Sequence, residues 1–175
     1  MQTSFWKNLT RFVFLILLQG LVLEHIDLPA NLHCMVYPVA ILLLPFQTSA
    51  SVVLLAGFLA GLCVDLICQV PGLNAASATF MAFVRVVYMR LDNRHDTGRD
   101  NDLSGTPLPG QMGWGGFVGY ALWTVFLFHL AYFFLDASSF KNIFYTLYLS
   151  IGSSLLCFVC VLLAVTLFKP KANTR

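Results

Sequence analysis

Asp65 lies near the end of an otherwise unbroken apolar run, Ser51 to Cys68. Gly57, Gly61 and Asp65 are each four residues apart, so on a helix they form one narrow stripe. Two glycines let a second backbone approach closely. A carboxylate placed where solvent is scarce must then find a partner or a polar cavity, which marks Asp65 as a candidate functional residue. The turn that follows, Gln69-Val70-Pro71-Gly72-Leu73-Asn74, is a tight helical hairpin, because Pro fixes φ and Gly72 accepts positive φ. Beyond it a second small-residue stripe, Ala75, Ala78 and Ala82, ends at Arg85. The two stripes are expected to face each other.

A direct Asp65–Arg85 pair is disfavoured by geometry. At 1.5 Å per residue the two lie roughly 10 Å apart along the helix axes. Arg85 is therefore expected to snorkel to the cytoplasmic side. His129 stands about two turns before Asp136. A proton relay needs a hydrogen-bonded chain of ionisable groups, and Asp65 and His129 lack a third member, so His129 is read as structural. Gly57, Gly61, Asp65, Gly72, Asn74, Arg85 and His129 together make the candidate partner-binding or polar-pocket set.

The elements that must position these residues are membrane helices. The 175 residues are 58% hydrophobic and 10% charged, with a mean hydropathy of +0.78. Soluble domains carry about 25% charged residues. One compact all-α membrane domain, 1–175, accounts for the whole chain. A net charge of +2 with scattered basic residues excludes a nucleic-acid patch. Apolar segments predict six spans at about 11–26, 34–46, 50–68, 75–91, 115–135 and 140–168. Segment 34–46 is short and holds Pro38 and Pro45, which also suits a re-entrant segment. With six spans and both termini inside, nine of the ten basic residues lie at or toward the cytoplasm, Lys141 being the exception. The positive-inside rule favours that arrangement.

Between spans four and five, 92–113 interleaves Arg94 and Arg99 with Asp92, Asp96, Asp100 and Asp102, which reads as a solvated cytoplasmic loop or a docking segment. Gly113, Gly115, Gly116 and Gly119 precede an apolar helix, and Trp114 fits an interfacial aromatic belt. Lys7 and Arg11 precede Phe12–Leu23 as in a signal peptide. No small-x-small cleavage site follows, so the run is an uncleaved first span. Cys157-x-x-Cys160 has the spacing of a metal or redox half-site, but in an apolar helix without a second pair it reads as core packing. A disulfide between Cys34 and Cys68 is conceivable. There is no His-Glu-x-x-His, no Gly-x-Ser-x-Gly, no carboxylate pair on one helix and no phosphate loop. The expectation is no enzyme, no metal and no cofactor.

At Gly57-Phe-Leu-Ala-Gly61-Leu-Cys-Val-Asp65-Leu66, followed by Pro71-Gly72-Leu73-Asn74-Ala75, the chain resembles the rod shape-determining protein MreD family. Phe128-His129-Leu-Ala-Tyr-Phe-Phe-Leu-Asp136 is similar to the fifth span of its Bacteroidota branch. One departure is Asn74, where the family often has His; hydrogen bonding at that turn survives, titration does not. The resemblance implies a non-enzymatic inner-membrane component of the cell-wall elongation machinery. It would associate directly with MreC, and through it with MreB, RodA and the transpeptidase partner of RodA. It also implies a helical architecture similar to the substrate-binding subunits of energy-coupling-factor vitamin transporters. Two functional readings follow: a scaffold presenting grooves to partner helices, and a solute-binding transporter subunit. For the second, the convergent polar side chains are few: Asp65, Asn74, Gln69, His129 and Gln19. A membrane enzyme acting on a lipid-linked precursor would rest on Asp65 and His129 alone.

Overall fold

The computed structural model describes residues 2–26, 29–95, 105–137 and 142–167. Within them are six α-helices and no strand: α1 (Gln2–Leu21), α2 (Pro38–Leu42), α3 (Ala50–Cys68), α4 (Leu73–His95), α5 (Pro109–Ala137) and α6 (Ile143–Leu167). Three of them, α3, α5 and α6, are long and apolar enough to cross a membrane. The expectation of six continuous spans is therefore too simple. α1 includes Lys7, Asn8, Arg11 and Gln19, α4 includes Asn74, Ser77, Arg85 and Arg90, and α2 is only five residues long. The first helix also begins and ends earlier than expected, giving way at Leu23–His25 to a single tight turn. The basic residues Arg99, Lys141, Lys169, Lys171 and Arg175, and residues 96–104 of the 92–113 loop, lie outside the described residues.

The polarity of the molecule is reversed with respect to water. Each long helix turns bulky apolar side chains outward: Phe14 and Leu17 on α1, Leu55 and Leu59 on α3, Phe83 and Val87 on α4, Trp123 on α5, Phe144, Ile151 and Leu155 on α6. Meanwhile Gln19, Asp65, Asn74, Ser77, Arg85, Thr124, His129 and Ser150 are buried. Exposed apolar surface this extensive suits hydrocarbon, and the chain is a membrane protein on this ground.

α3 and α4 form the closest pair. A Cβ placed on Gly57 would lie 2.8 Å from the Ala78 carbonyl oxygen and from the Ala82 Cβ, and one on Gly61 would lie 2.6 Å from the Ala75 Cα. The two small-residue stripes thus face each other across one chain. α3 ends with Gln69 in the left-handed region (φ 57°), and Gly72 follows at φ 76°. The 69–72 turn defines what we term the hairpin end of the bundle. α5 breaks at Gly113 (φ 75°, ψ 157°), a conformation that glycine adopts without a Cβ penalty.

α1 and α3 run parallel, with Gly20 against Ile67 near the hairpin end of both. The chain between them must therefore return the length of the bundle. It does so as an interrupted segment: residues 32–36 take no regular structure, α2 adds one short helix, and Pro45 follows it. Contacts with α5 mark the descent: the His33 ring lies 5.8 Å from Phe133, Tyr37 lies 5.8 Å from Phe128, and Leu42 accepts a hydrogen bond from Tyr120. Val36 through Leu44 are all buried. The expected helix over 34–46 is thus a mostly non-helical strand of chain enclosed by α1 and α3–α6.

The stripe packing gives a direct test. Gly61→Ala should destabilise the protein in detergent by about 1–3 kcal/mol, because its methyl meets unyielding backbone. Gly115→Ala, facing open space, should be neutral or stabilise by up to about 1 kcal/mol. Equal thermal midpoints for the two variants would contradict the packing.

Candidate functional site

Asp65 is 4% exposed, and its carboxyl group makes three hydrogen bonds, all to the start of α4. Oδ1 accepts from the Asn74 backbone N–H at 3.0 Å and from Asn74 Nδ2 at 3.1 Å. Oδ2 accepts from the Ala75 N–H at 2.8 Å. The first turn of a helix has N–H groups without intrahelical acceptors and carries partial positive charge. Asp65 therefore caps α4 from the neighbouring helix. The local sequence explains the fit. Gly61, one turn earlier, removes the side chain that would hold α4 away, and Gly72 supplies the reversal. The Asp65 carbonyl in turn accepts from the Val70 N–H at 3.0 Å, closing the turn.

Asn74 links this cap to the interrupted segment. The Tyr37 hydroxyl, fully buried, lies 3.2 Å from Asn74 Oδ1 and 3.3 Å from the Asn74 carbonyl oxygen, with one proton to share between them. Asn74 thus spends its amide on Asp65 and its oxygen on Tyr37. A histidine there could not donate and accept at these two places through one planar amide, so Asn74 suits the geometry in its own right.

Arg85 does not snorkel to a membrane face. It is 2% exposed, and its Nη2 donates to the carbonyls of Leu44 at 2.6 Å and Pro45 at 3.3 Å. Arg11 Nη2 donates to the Leu43 carbonyl at 2.9 Å, and the Tyr120 hydroxyl to the Leu42 carbonyl at 2.9 Å. Four consecutive carbonyls at the end of α2 are thereby satisfied by two guanidinium groups and a phenol. That end of a helix carries partial negative charge, which is why cations collect there. At the other end, the Val36 N–H donates to Gln19 Oε1 at 2.7 Å and the His33 N–H to Ser153 Oγ at 3.0 Å. The Cys157 thiol donates to the Met35 carbonyl at 2.8 Å.

His129 is fully buried, with Nδ1 2.9 Å from the Val125 carbonyl and Nε2 without a partner. The carbonyl places the proton on Nδ1 and leaves Nε2 as an acceptor among Phe128 and Phe133. Only one of its two nitrogens is thus satisfied, less than a structural histidine would want. Of the seven candidates, Gly57, Gly61, Asp65 and Asn74 form one constellation with Gly72 at its turn, while Arg85 and His129 are placed apart from it. Two surface clefts lie elsewhere, toward the hairpin end. One, of about 240 Å³, includes Asp136, Asn142 and Thr146; the other, of about 320 Å³, includes Gln19, Glu24, Asn31, His33 and Cys34. Among the described residues no group of three or more His, Cys, Asp or Glu is arranged to hold a metal ion. Cys34 does not approach Cys68; its sulfur lies 3.8 Å from Cys160.

The sequence reading passed over Tyr37, Tyr120, Arg11 and Ser153. One signal was present: Thr146, Ser150, Ser153 and Cys157 repeat at helical spacing on a helix otherwise apolar, and all four are buried. Compared with protein-family models, curated proteins and solved structures, the chain matches none of them.

Asp65→Asn keeps the shape but turns one acceptor into a donor facing N–H groups. It should cost about 1–3 kcal/mol, the range for leaving a buried polar group unsatisfied. Tyr37→Phe should cost about 1 kcal/mol. Because both act through Asn74, the double variant should lose less than the sum, as read by denaturant or thermal unfolding in detergent. Strict additivity would show that the two bonds are independent.

Proposed function

We propose that this chain is a non-enzymatic membrane scaffold of the MreD type, acting in cell-wall elongation and cell shape through MreC, with MreB, RodA and its transpeptidase partner as further members of the complex. The observation that carries this reading is how the interior polar groups are used. Asp65, Tyr37, Arg11, Arg85, Gln19 and Tyr120 satisfy the chain's own backbone, and Asn74 ties Asp65 to Tyr37, instead of converging on a chamber. The residues that carry the family resemblance, Gly57, Gly61, Asp65 and the Pro71–Ala75 turn, fold as one unit. Such a hairpin holds a surface in a fixed shape, which is what a scaffold requires. In this reading the interrupted segment completes a six-crossing domain in the inner membrane, with both termini in the cytoplasm, as the distribution of basic residues favours.

Since α4 already fills the Gly57–Gly61 stripe, Asp65 would act on a partner through the shape of the hairpin. A second reading, a solute-binding subunit of the energy-coupling-factor type, draws on the cleft beside Gln19, Glu24, Asn31 and His33. Its volume of about 320 Å³ is at the lower limit for small-molecule sites. The fold analogy behind it is associational.

Co-purification separates the two. Asp65→Leu, expressed at matched level, should recover MreC several-fold less than wild type and give rounded cells. Undiminished MreC recovery with rod-shaped cells would overturn the scaffold reading. A vitamin panel that raises the melting temperature of the purified wild type, with the rise lost in His33→Ala, would establish the transporter reading in its place.

A further inference from the structure

The interrupted segment meets α6 through sulfur. Cys34, in the irregular stretch 32–36, has its Sγ 3.8 Å from that of Cys160 on α6. A disulfide needs about 2.05 Å. Side-chain rotation supplies much of the difference, and residues 32–36 belong to no helix that would resist the remainder. Cys34 also lines the cleft shared by Gln19, Glu24 and His33, so a reagent entering from the hairpin end reaches its sulfur. Both thiols are partly accessible. Cys157, one turn from Cys160, is fully buried and bound to the Met35 carbonyl, which removes it as a competitor.

We propose that Cys34 and Cys160 are a redox-active pair that closes to an intrachain disulfide, tying the interrupted segment to α6. The oxidant is a disulfide, either a dithiol–disulfide oxidoreductase or a small-molecule disulfide. Cys34, as thiolate, attacks one sulfur of the oxidant. An S–S bond forms to Cys34 as the oxidant's own S–S bond breaks, and the first thiolate leaves. Cys160 then gives up its proton and attacks the Cys34 sulfur. The Cys34–Cys160 bond forms, and the second thiolate departs. The two cysteines lose two electrons and two protons between them, and the oxidant is reduced to two thiols. The linkage bridges residues distant in sequence and lies beside the His33 and Met35 backbone groups that α6 already holds. It makes permanent a contact that otherwise rests on hydrogen bonds. This inference concerns the bundle itself and stands whichever of the two functional readings holds.

The test uses the full-length protein, purified reduced in detergent and treated with dithiodipyridine. Attack by Cys34 on the reagent forms a mixed disulfide and releases the first thiopyridone, and closure by Cys160 expels the second. Peptide mapping under acidic, non-reducing conditions should then find a Cys34–Cys160 linked peptide and no pyridyl adduct on either residue. Cys157→Ala should leave the link intact. Cys34→Ser should abolish it, with Cys160 recovered as free thiol or adduct. Should Cys34→Ser prove poorly folded, Cys160→Ala gives the converse: a stable pyridyl adduct on Cys34. A persistent adduct on Cys34 of the wild type beside an unlinked Cys160, or a link from Cys34 to Cys68 or Cys157, would overturn the proposal.

Discussion

A peptide group removed from water must be hydrogen-bonded, and in this molecule the stretch least able to bond to itself runs through the middle. Residues 32–46 contain one five-residue helix, so most of their N–H and C=O groups lack the partners a long helix would supply. Each such group left unpaired in an apolar interior costs several kcal/mol. Gln19, Ser153, Cys157, Arg11, Arg85 and Tyr120 remove that cost one group at a time. Arg85 meets two adjacent carbonyls, those of Leu44 and Pro45, through the single nitrogen Nη2, and Arg11 meets the carbonyl of Leu43. Irregular backbone at membrane depth is tolerated only where protein encloses it, and burial of Val36 through Leu44 meets that condition.

The hairpin at Asp65 and the interrupted segment are one network. Asp65 holds the first turn of α4, Asn74 in that turn binds the Tyr37 hydroxyl, and the Tyr37 carbonyl accepts the Ala40 N–H as α2 begins. Just past the end of α2, the Leu44 and Pro45 carbonyls meet Arg85, twelve residues into the helix that Asp65 caps. α4 is thereby fixed at two depths by the same neighbouring chain. Its small face, Ala75, Ala78 and Ala82, supplies the close approach that makes both contacts reachable. Polar bonds and small residues work together here: without the glycines the carboxyl could not reach the helix start, and without the carboxyl the close approach would leave N–H groups unmet.

Local features were legible from sequence because they depend on residues near one another. The Gly57–Gly61–Asp65 stripe, its complement at Ala75–Ala82, and the Pro71–Gly72 reversal all follow from helical spacing and turn chemistry within some thirty residues. Pro38 and Pro45 also bracket α2 as a first-turn proline and a stop. What spacing does not encode is the fate of residues 32–36, since their partners come from α1 and α6. Arg85 was misread for the same reason. Helical geometry correctly kept it from Asp65, yet its true acceptors are carbonyls forty residues earlier, and carbonyls leave no trace in a side-chain pattern. Burial of Tyr120 was equally invisible, because it has an apolar helix around it and a polar purpose only once the interrupted segment is in place.

The order of partners along the chain constrains how such a bundle assembles. α1 precedes the interrupted segment and can offer Gln19 and Arg11 at once, but Arg85, Tyr120, Ser153 and Cys157 are all made later. Until α4, α5 and α6 dock, the carbonyls of Leu42 and Leu44 and the His33 N–H lack the partners they have in the finished fold. An incompletely bonded segment does not rest in hydrocarbon; it stays where water can reach it. The full set of partners for residues 32–46 therefore exists only once the later helices have docked. Inside, Gln19, Arg85, Tyr120, Ser153 and Cys157 receive one irregular segment, while bulky apolar side chains face outward on every long helix.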